Sequence, residues 1–156
     1  SFYERTARPL WAYVYRVTRQ AGDADDIVQD AFCRLLRADV EGLDDEELRR
    51  YIFRIAGNLI IDRWRRAERE TSWLARLRGE PRVDPSPEQD DRVSQEFAEL
   101  APRDRALLWL AYVEEHNHQE IASALGLARG SVKVLLSRAR TRLRKLLVTK
   151  GLTARA

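Results

Sequence analysis

Residues 117–148 read NHQEIASALGLARGSVKVLLSRARTRLRKLLV, a short helical pattern followed by a glycine-containing turn and a longer, basic helical pattern. Asn117 and Glu120 have the spacing of a capping box, and Gly126 is typical of a helix end. The second helix is predicted over residues 129–148, because four apolar side chains share one of its faces: Val132, Leu136, Ala139 and Leu143. These proportions predict a helix-turn-helix, a motif that reads the DNA major groove.

The opposite face of this second helix is rich in hydrogen-bond donors, which suit base edges and flanking phosphates. Its members are Lys133, Val134, Ser137, Arg138, Thr141 and Lys145. Residues 129–150 hold eight basic residues and no acidic one, whereas solvated helices normally pair their charges. A helical hairpin with a solvated basic face is the alternative, and the missing acids favour nucleic acid.

The rest of the chain has the same helical period, and no stretch has the two-residue alternation of a strand. One helix is predicted around residues 3–18, and a second follows a break at Gly22 and Asp23, with Asp23 as its cap. The inward stripe of the second helix is Ile27, Val28, Ala31, Phe32, Leu35 and Leu36. The stripe of a third is Leu48, Ile52, Ile55, Ala56, Leu59, Ile60 and Trp64. For Trp64, a core position is favoured over a contact with nucleic acid. We therefore predict an all-α fold.

The helical pattern is interrupted between residues 67 and 92, where Gly79 and three prolines lie among charged residues. We predict a flexible linker over residues 67–92, with a short helical turn near Trp73. The chain is thus divided into two small helical domains and a tail. Their predicted ranges are 1–66, 93–150 and 151–156.

Charges are segregated along the chain, although its 156 residues carry a net charge of only +3. Residues 20–47 hold ten acidic and two basic residues, and residues 48–69 hold seven basic and two acidic ones. With residues 129–150 there are two separate basic blocks, which suggest two contacts with a polyanion. The acidic block suggests a basic protein partner. For any single block, an ordinary exposed helix face is the alternative.

Several classes of protein are excluded by what the sequence lacks. No apolar run approaches the roughly 20 residues of a membrane span, so no membrane insertion is expected. The lone Cys33 excludes an internal disulfide, which favours a cytoplasmic protein, and we expect this thiol to be buried or half-buried. Cys33, His116 and His118 are too sparse for a zinc site. Without a Walker loop, a dinucleotide fingerprint or a nucleophile elbow, we predict no metal, no cofactor and no catalytic residue, and hence no enzyme.

Several C-terminal segments closely resemble region 4 of the extracytoplasmic-function sigma factors, in the sigma-70 family. They are 119–122 with Gly126, 130–133, 137–140 and the entry segment 100–105. The resemblance implies a helix-turn-helix that binds the promoter −35 element through Lys133, Ser137 and Arg138, with further backbone contacts from Arg129, Ser131 and Arg140. Val134 and Leu135 stand where the family often has Ser and Arg, so base contacts there are apolar or absent. Ala128 stands where the family often has a capping residue, which implies a weaker helix start.

Residues 23–32, DADDIVQDAF, closely resemble the region 2.2 helix of the same family. The resemblance implies that an outward face docks on the clamp helices of the β′ subunit of RNA polymerase core. The residues of that face are Asp26, Gln29, Asp30 and Arg34. Acids near a helix N-terminus also favour the helix dipole, so plain helix stabilisation is the alternative.

The third helix mixes aromatic and basic residues, which suits single-stranded DNA, since bases stack on flat side chains and phosphates attract cations. Residues 51–58, YIFRIAGN, resemble regions 2.3–2.4, which read the promoter −10 element. The resemblance implies that Asn58 lies near the site where a base leaves the stack. Tyr51 stands where a Trp is common. The predicted −10 contacts are Tyr51, Arg54, Asn58, Arg63, Arg65 and Arg66.

Together these patterns predict an alternative sigma factor, which recruits polymerase core to promoters and helps to open them. The expected partners are the core enzyme through its β′ clamp helices and β subunit, promoter DNA in duplex and single-stranded form, and an anti-sigma factor. The resemblance also implies a linker that threads the polymerase, although a simple tether suits its composition equally well. The alternatives are a helix-turn-helix regulator that binds duplex DNA without joining polymerase, and a helical adaptor that binds only proteins.

Overall fold

The computed structural model describes residues 1–78 and 92–149, and this described part is helical without strands. Its helices, in chain order, are α1 (Phe2–Thr18), α2 (Ala21–Arg37), α3 (Asp45–Arg78), α4 (Arg92–Glu99), α5 (Pro102–Tyr112), α6 (His118–Leu125) and α7 (Val132–Thr149). The chain divides into two compact units, Ser1–Ser86 and Pro87–Ala156. The all-α prediction with two helical units is confirmed.

The first unit is a bundle of α1, α2 and α3 in which each helix packs against both others. Helices α1 and α3 are parallel, because Arg5 pairs with Asp45 and the rings of Tyr13 and Phe53 lie 5.5 Å apart. Helix α2 is antiparallel to both. The ring of Tyr3, near the start of α1, lies 4.8 Å from the ring of Phe32, in the later part of α2. Arg63 of α3 lies 3.2 Å from Asp23, near the start of α2.

The core of this bundle comes from the helical periods in the sequence, since residues three and four apart share a face. The fully or nearly fully buried apolar residues are Leu10, Tyr13, Val14, Tyr15, Val17, Ala24, Ile27, Ala31, Leu35, Ile52, Phe53, Ala56, Leu59 and Ile60. The predicted stripes of α2 and α3 thus supply most of the core. The predicted burial was wrong at the ends of these stripes, where Leu36 and Trp64 are exposed.

The junction between α1 and α2 differs from the prediction. Helix α2 begins at Ala21 with Gln20 as its N-cap, so Gly22 and Asp23 lie inside the helix and Asp23 is not the cap. The chain turns instead at Arg19, which takes a left-handed conformation with φ of 62° and donates its backbone N–H to the Tyr15 carbonyl. Because Arg19 supplies the reversal, no glycine is needed there.

Helix α3 is longer than predicted and runs to Arg78, past the predicted domain boundary at residue 66. The apolar period does end near Trp64. However, the charged residues that follow are good helix formers, and the next glycine after Trp64 is Gly79. Once a helix is nucleated, each further residue is added at little cost. The predicted linker therefore begins inside α3, and its residues 79–91 lie outside the described residues.

The second unit packs α5 against α6 and α7, with α4 against α7. Its innermost apolar side chains are Leu107, Leu110, Ile121, Leu125 and Val132. Arg105 is buried among them, and its guanidinium donates to the backbone carbonyls of Ala98, at 3.1 Å, and Leu100. Because these carbonyls lie at the end of α4, where intrahelical donors run out, Arg105 fastens the end of α4 to α5.

The predicted helix-turn-helix is present as α6 and α7. Asn117 and Glu120 form the predicted capping box, and Gly126 closes α6 in a left-handed conformation with φ of 63°. Helix α7 begins at Val132 rather than at residue 129, because residues 129–131 form a turn. In that turn Ser131 donates from both its backbone N–H and its hydroxyl to the Ala128 carbonyl, at 3.0 and 2.7 Å.

An ion pair joins α7 to α5. The Arg142 guanidinium donates to both carboxylate oxygens of Asp104, at 3.1 and 2.9 Å. Asp104 is buried, whereas about half of the Arg142 side chain faces solvent. The pair therefore compensates a charge that would otherwise be costly inside the unit, and it holds the middle of α7 against α5.

Replacing Arg142 with methionine should destabilise the second unit by about 2 kcal/mol, between the values for surface pairs and for fully buried pairs. Methionine keeps the packing volume but leaves the Asp104 carboxylate without its cation. Hydrogen exchange of the α5 and α7 amides measures the effect. Arg144→Met on the exposed side of α7 is the control, and equal protection in both variants would contradict the stabilising role.

Within residues 1–78 and 92–149, no helix is both long enough and apolar enough to cross a bilayer. The same ranges hold no group of three or more His, Cys, Asp or Glu side chains placed to hold a metal ion. Cys33 is exposed, so the expectation of a buried or half-buried thiol was wrong. Its position on α2 lies beside the buried stripe rather than within it.

Candidate nucleic-acid interface

The outer face of α7 carries the side chains that the sequence assigned to duplex DNA. Val132, Leu136 and Ala139 are buried on the inner face, which turns the opposite side to solvent. The residues Lys133, Val134, Ser137, Arg138, Thr141 and Lys145 are all exposed there. Since α7 contains no acidic residue, this face presents cations and hydroxyls without competing carboxylates.

Three of the predicted −35 contacts lie outside this face of α7. Arg129 is exposed in the turn before α7, and Ser131 is half-buried there with its hydroxyl donating to Ala128. Arg140 lies on the flank of α7, where its guanidinium donates to the Tyr112 hydroxyl at 2.7 Å. These positions suit contacts to the DNA backbone beside the groove better than contacts to base edges.

Helix α3 brings together most of the predicted −10 contacts. Tyr51, Arg54, Asn58 and Arg65 follow one another at spacings of three, four and seven residues, which keeps them on one face. Arg54, Asn58 and Arg65 are exposed, and Tyr51 is half-buried. Exposed Asp62 shares this face and was not predicted; the same spacing, four residues after Asn58, could have identified it.

Arg63 lies apart from this group. It is five residues after Asn58, about 140° around the helix, and so points toward α2. Its guanidinium is 3.2 Å from the Asp23 carboxylate and 3.9 Å from that of Asp26. Arg63 therefore links α3 to the start of α2, and contact with DNA would require its guanidinium to leave these two carboxylates.

Trp64 was predicted to lie in the core, and this was wrong, because 37% of its side chain is exposed. The reason is tertiary. Helix α1 ends at Thr18 and α2 begins at Ala21, and the pair between Arg63 and Asp23 places the start of α2 beside residue 63. Residues 64–70 of α3 lie beyond that point and are all exposed. Trp64 therefore stands at the edge of the bundle, next to exposed Arg65 and Arg66.

The predicted polymerase-binding residues lie on the exposed side of α2. Asp26 and Gln29 are exposed, and the carboxylate of Asp30 is 3.3 Å from the Arg34 guanidinium one turn later. The pair between Asp30 and Arg34 is solvent-exposed, so it adds little to stability and leaves both groups accessible. This side of α2 is an acidic surface that continues into an apolar groove.

The apolar groove, of about 680 Å³, lies between α1 and α2. Its lining includes Tyr3, Trp11, Val28, Gln29, Phe32, Cys33 and Leu36. The sequence placed Leu36 in the inward stripe, but 85% of its side chain is exposed. A signal was available, since the stripe of α2 is two rows wide. The row of Ile27, Ala31 and Leu35 is buried, and the row of Val28, Phe32 and Leu36 turns progressively outward.

Both units match known families. Residues 2–70 match Sigma-70 region 2, and residues 90–143 match Sigma-70, region 4. The ECF RNA polymerase sigma factor SigL of Mycobacterium tuberculosis is 30% identical over 98% of this chain and 90% of its own length. The RNA polymerase sigma-E factor of Streptomyces antibioticus is 36% identical over 86% of this chain and 76% of its own.

A solved structure has the same fold. It is the sigma factor RpoE from Bartonella quintana, in complex with the anti-sigma factor NepR, with a TM-score of 0.72 at 22% identity over 94% of each chain. The two helical units and their matches define a protein of the sigma-70 family. Within that family, the chain belongs to the extracytoplasmic-function sigma factors.

Proposed function

We propose that this protein is the specificity subunit that brings bacterial RNA polymerase core to a set of promoters and helps to open them. The observation that carries the proposal is the separation of three surfaces on two helical units. An acidic surface lies on α2, a face with aromatic, amide and basic side chains lies on α3, and a basic face without acids lies on α7. The protein has no catalytic role in this scheme and acts in the cytoplasm, where the polymerase is.

Duplex recognition is assigned to α7. In helix-turn-helix proteins the N-terminal residues of the second helix contact base edges in the major groove. Lys133, Ser137 and Arg138 occupy that part of α7 and are exposed. Arg129, Ser131 and Arg140 lie at its margins, where phosphates pass. We assign these two groups to the bases and to the backbone of the −35 element.

Capture of unpaired bases is assigned to the α3 face with Asn58 at its centre. A side-chain amide can pair with the polar edge of a base that has left the stack, and Tyr51 offers a flat surface near it. Arg54, Arg65 and Arg66 supply positive charge for the strand. Capture favours opening only to the extent that this face binds separated strands more tightly than duplex.

Core binding is assigned to the acidic surface of α2, with Asp26, Gln29, Asp30 and Arg34 on the β′ clamp helices. The β subunit is the second expected contact in the core enzyme. An anti-sigma factor is a further expected partner, because the structural relative was solved with one. Such an inhibitor would act by covering surfaces that the polymerase needs.

Run-off transcription with purified core enzyme on a genomic promoter library tests the proposal. The chain should direct initiation from a subset of templates, and the start sites would reveal both promoter elements. Core enzyme alone is the control. A regulator that only binds duplex DNA would bind without initiating, and an adaptor that only binds proteins would show no salt-sensitive DNA binding.

Replacing Arg138 with alanine should weaken binding to the −35 duplex by roughly 1–3 kcal/mol, as expected for an arginine that reads a base. Gel-shift titration at fixed salt measures the loss. Arg144→Ala removes the same charge further along α7 and should weaken all sequences by a smaller, uniform amount. An unchanged affinity for Arg138→Ala would remove this residue from the interface.

A further inference from the structure

Val134 is an apolar residue in the middle of a polar surface. It is the third residue of α7, and 49% of its side chain is exposed. Its neighbours on the same face are Lys133 beside it, Ser137 one turn later and Arg138 next to Ser137, all exposed. The following residue, Leu135, is half-buried toward the core. Of the four apolar residues among the first five of α7, only Val134 is exposed on the outer face.

A single exposed valine is ordinary on a protein surface, so exposure alone means nothing. The position of Val134 is what distinguishes it. It lies in the first turn of the second helix of a helix-turn-helix, which is the part that reaches base edges. Arg138, four residues later, is about 6 Å further along the helix axis. Val134 and Arg138 therefore face the same short stretch of groove.

The chemistry of the groove restricts what Val134 can recognise. Valine donates and accepts no side-chain hydrogen bonds, and the apolar group on a base edge in the major groove is the C5 methyl of thymine. The β-branched side chain of valine is stiff in a helix, so its methyl groups are held in one direction. A thymine methyl group gives up no hydrogen bond to water when it contacts valine, whereas a polar base edge in contact with valine would lose its hydrogen bonds to water.

We infer that Val134 is a specificity-determining residue that contacts the C5 methyl of a thymine in the −35 duplex, beside the base pair that Arg138 reads. The inference rests on the proposed function and deepens it, because it assigns a base to a residue at which direct hydrogen bonding is impossible. It also separates Val134 from Leu135, which contributes to the core.

The test removes the methyl group from the DNA and the methyl groups from the protein. A randomised duplex pool is synthesised once with thymine and once with uracil, which pairs identically but lacks the C5 methyl. The full chain bound to polymerase core selects from both pools, and the bound DNA is sequenced. Val134→Ser is the variant. Val148→Ser is the matched control, because Val148 is also exposed but lies about 21 Å further along α7.

At one position in the −35 element, the wild-type protein should select thymine in the first pool more strongly than uracil in the second. The ratio of these two preferences should be about four, the factor expected for one buried methyl group. Val134→Ser should lose this difference at that position and keep the preference set by Arg138. Val148→Ser should behave as wild type.

Two results would overturn the inference. Either the two pools give the same preferences with the wild-type protein, or every methyl-dependent position persists unchanged in Val134→Ser. In both cases the protein still selects a −35 sequence, so the proposed function stands. If no base is selected at any position in either pool, then promoter recognition itself fails, and the assignment of Val134 fails with it.

Discussion

Replacing both Asp26 and Asp30 with lysine should weaken association with RNA polymerase core by at least about a hundredfold. Each substitution puts a positive charge where we propose that a basic surface docks, and truncating one charge of a buried interfacial pair already costs about 2–5 kcal/mol. Reversal adds repulsion to that loss. Co-purification with core and competition against another sigma factor measure the effect.

The folded state should tolerate this double reversal. The Asp26 side chain is 67% exposed and that of Asp30 is 45% exposed. Their pairs with Arg63, at 3.9 Å, and with Arg34, at 3.3 Å, are surface pairs worth at most about 1 kcal/mol each. Circular dichroism should therefore be unchanged. Glu68→Lys with Glu70→Lys is the control, because it makes the same change in net charge at exposed positions of α3. Retention of core binding by the Asp26 and Asp30 variant would contradict the docking surface.

Replacing Asn58 with alanine should reduce the population of open promoter complexes by about 5- to 150-fold, with little change in duplex binding. The amide is proposed to hold a base that has left the stack, and a good bidentate contact to a base edge is worth about 1–3 kcal/mol. Under the proposed function, duplex affinity depends mainly on α7, which the substitution does not touch. Permanganate footprinting of unpaired thymines and gel shift of duplex DNA measure the two quantities separately.

Folding is not a concern for this variant, because Asn58 is exposed and alanine is the better helix former. Asp62→Ala, one turn later on the same face, is the matched control. It removes a carboxylate from a surface that meets phosphates, so opening should be undiminished. Equal losses in footprinting and gel shift for Asn58→Ala would assign the residue to general binding instead of base capture.

The predicted contact residues stay predictions, but the structure shows which of them share a face and which are already paired within the protein. Lys133, Ser137 and Arg138 lie together because one helix carries all of them. Arg63 was grouped with Asn58 because both are on α3, yet the structure turns Arg63 to Asp23 on α2. Arg140, predicted as a backbone contact, lies on the flank of α7 and donates to Tyr112. Membership of a basic block does not reveal which basic side chain already has a partner.

The sequence by itself determined which segments are helical, the capping box of α6, its glycine stop and the buried faces of the stripes, because these depend on residues three or four apart. It did not determine where α2 and α7 begin or where α3 ends. It also determined the family, since the motifs of both units are contiguous. Tertiary structure alone decided where each buried face ends. Leu36 and Trp64 continue apolar stripes but are exposed, because burial requires a neighbouring helix and, among the described residues, no neighbouring helix covers them. The length of a partner helix is information that a local apolar period does not contain.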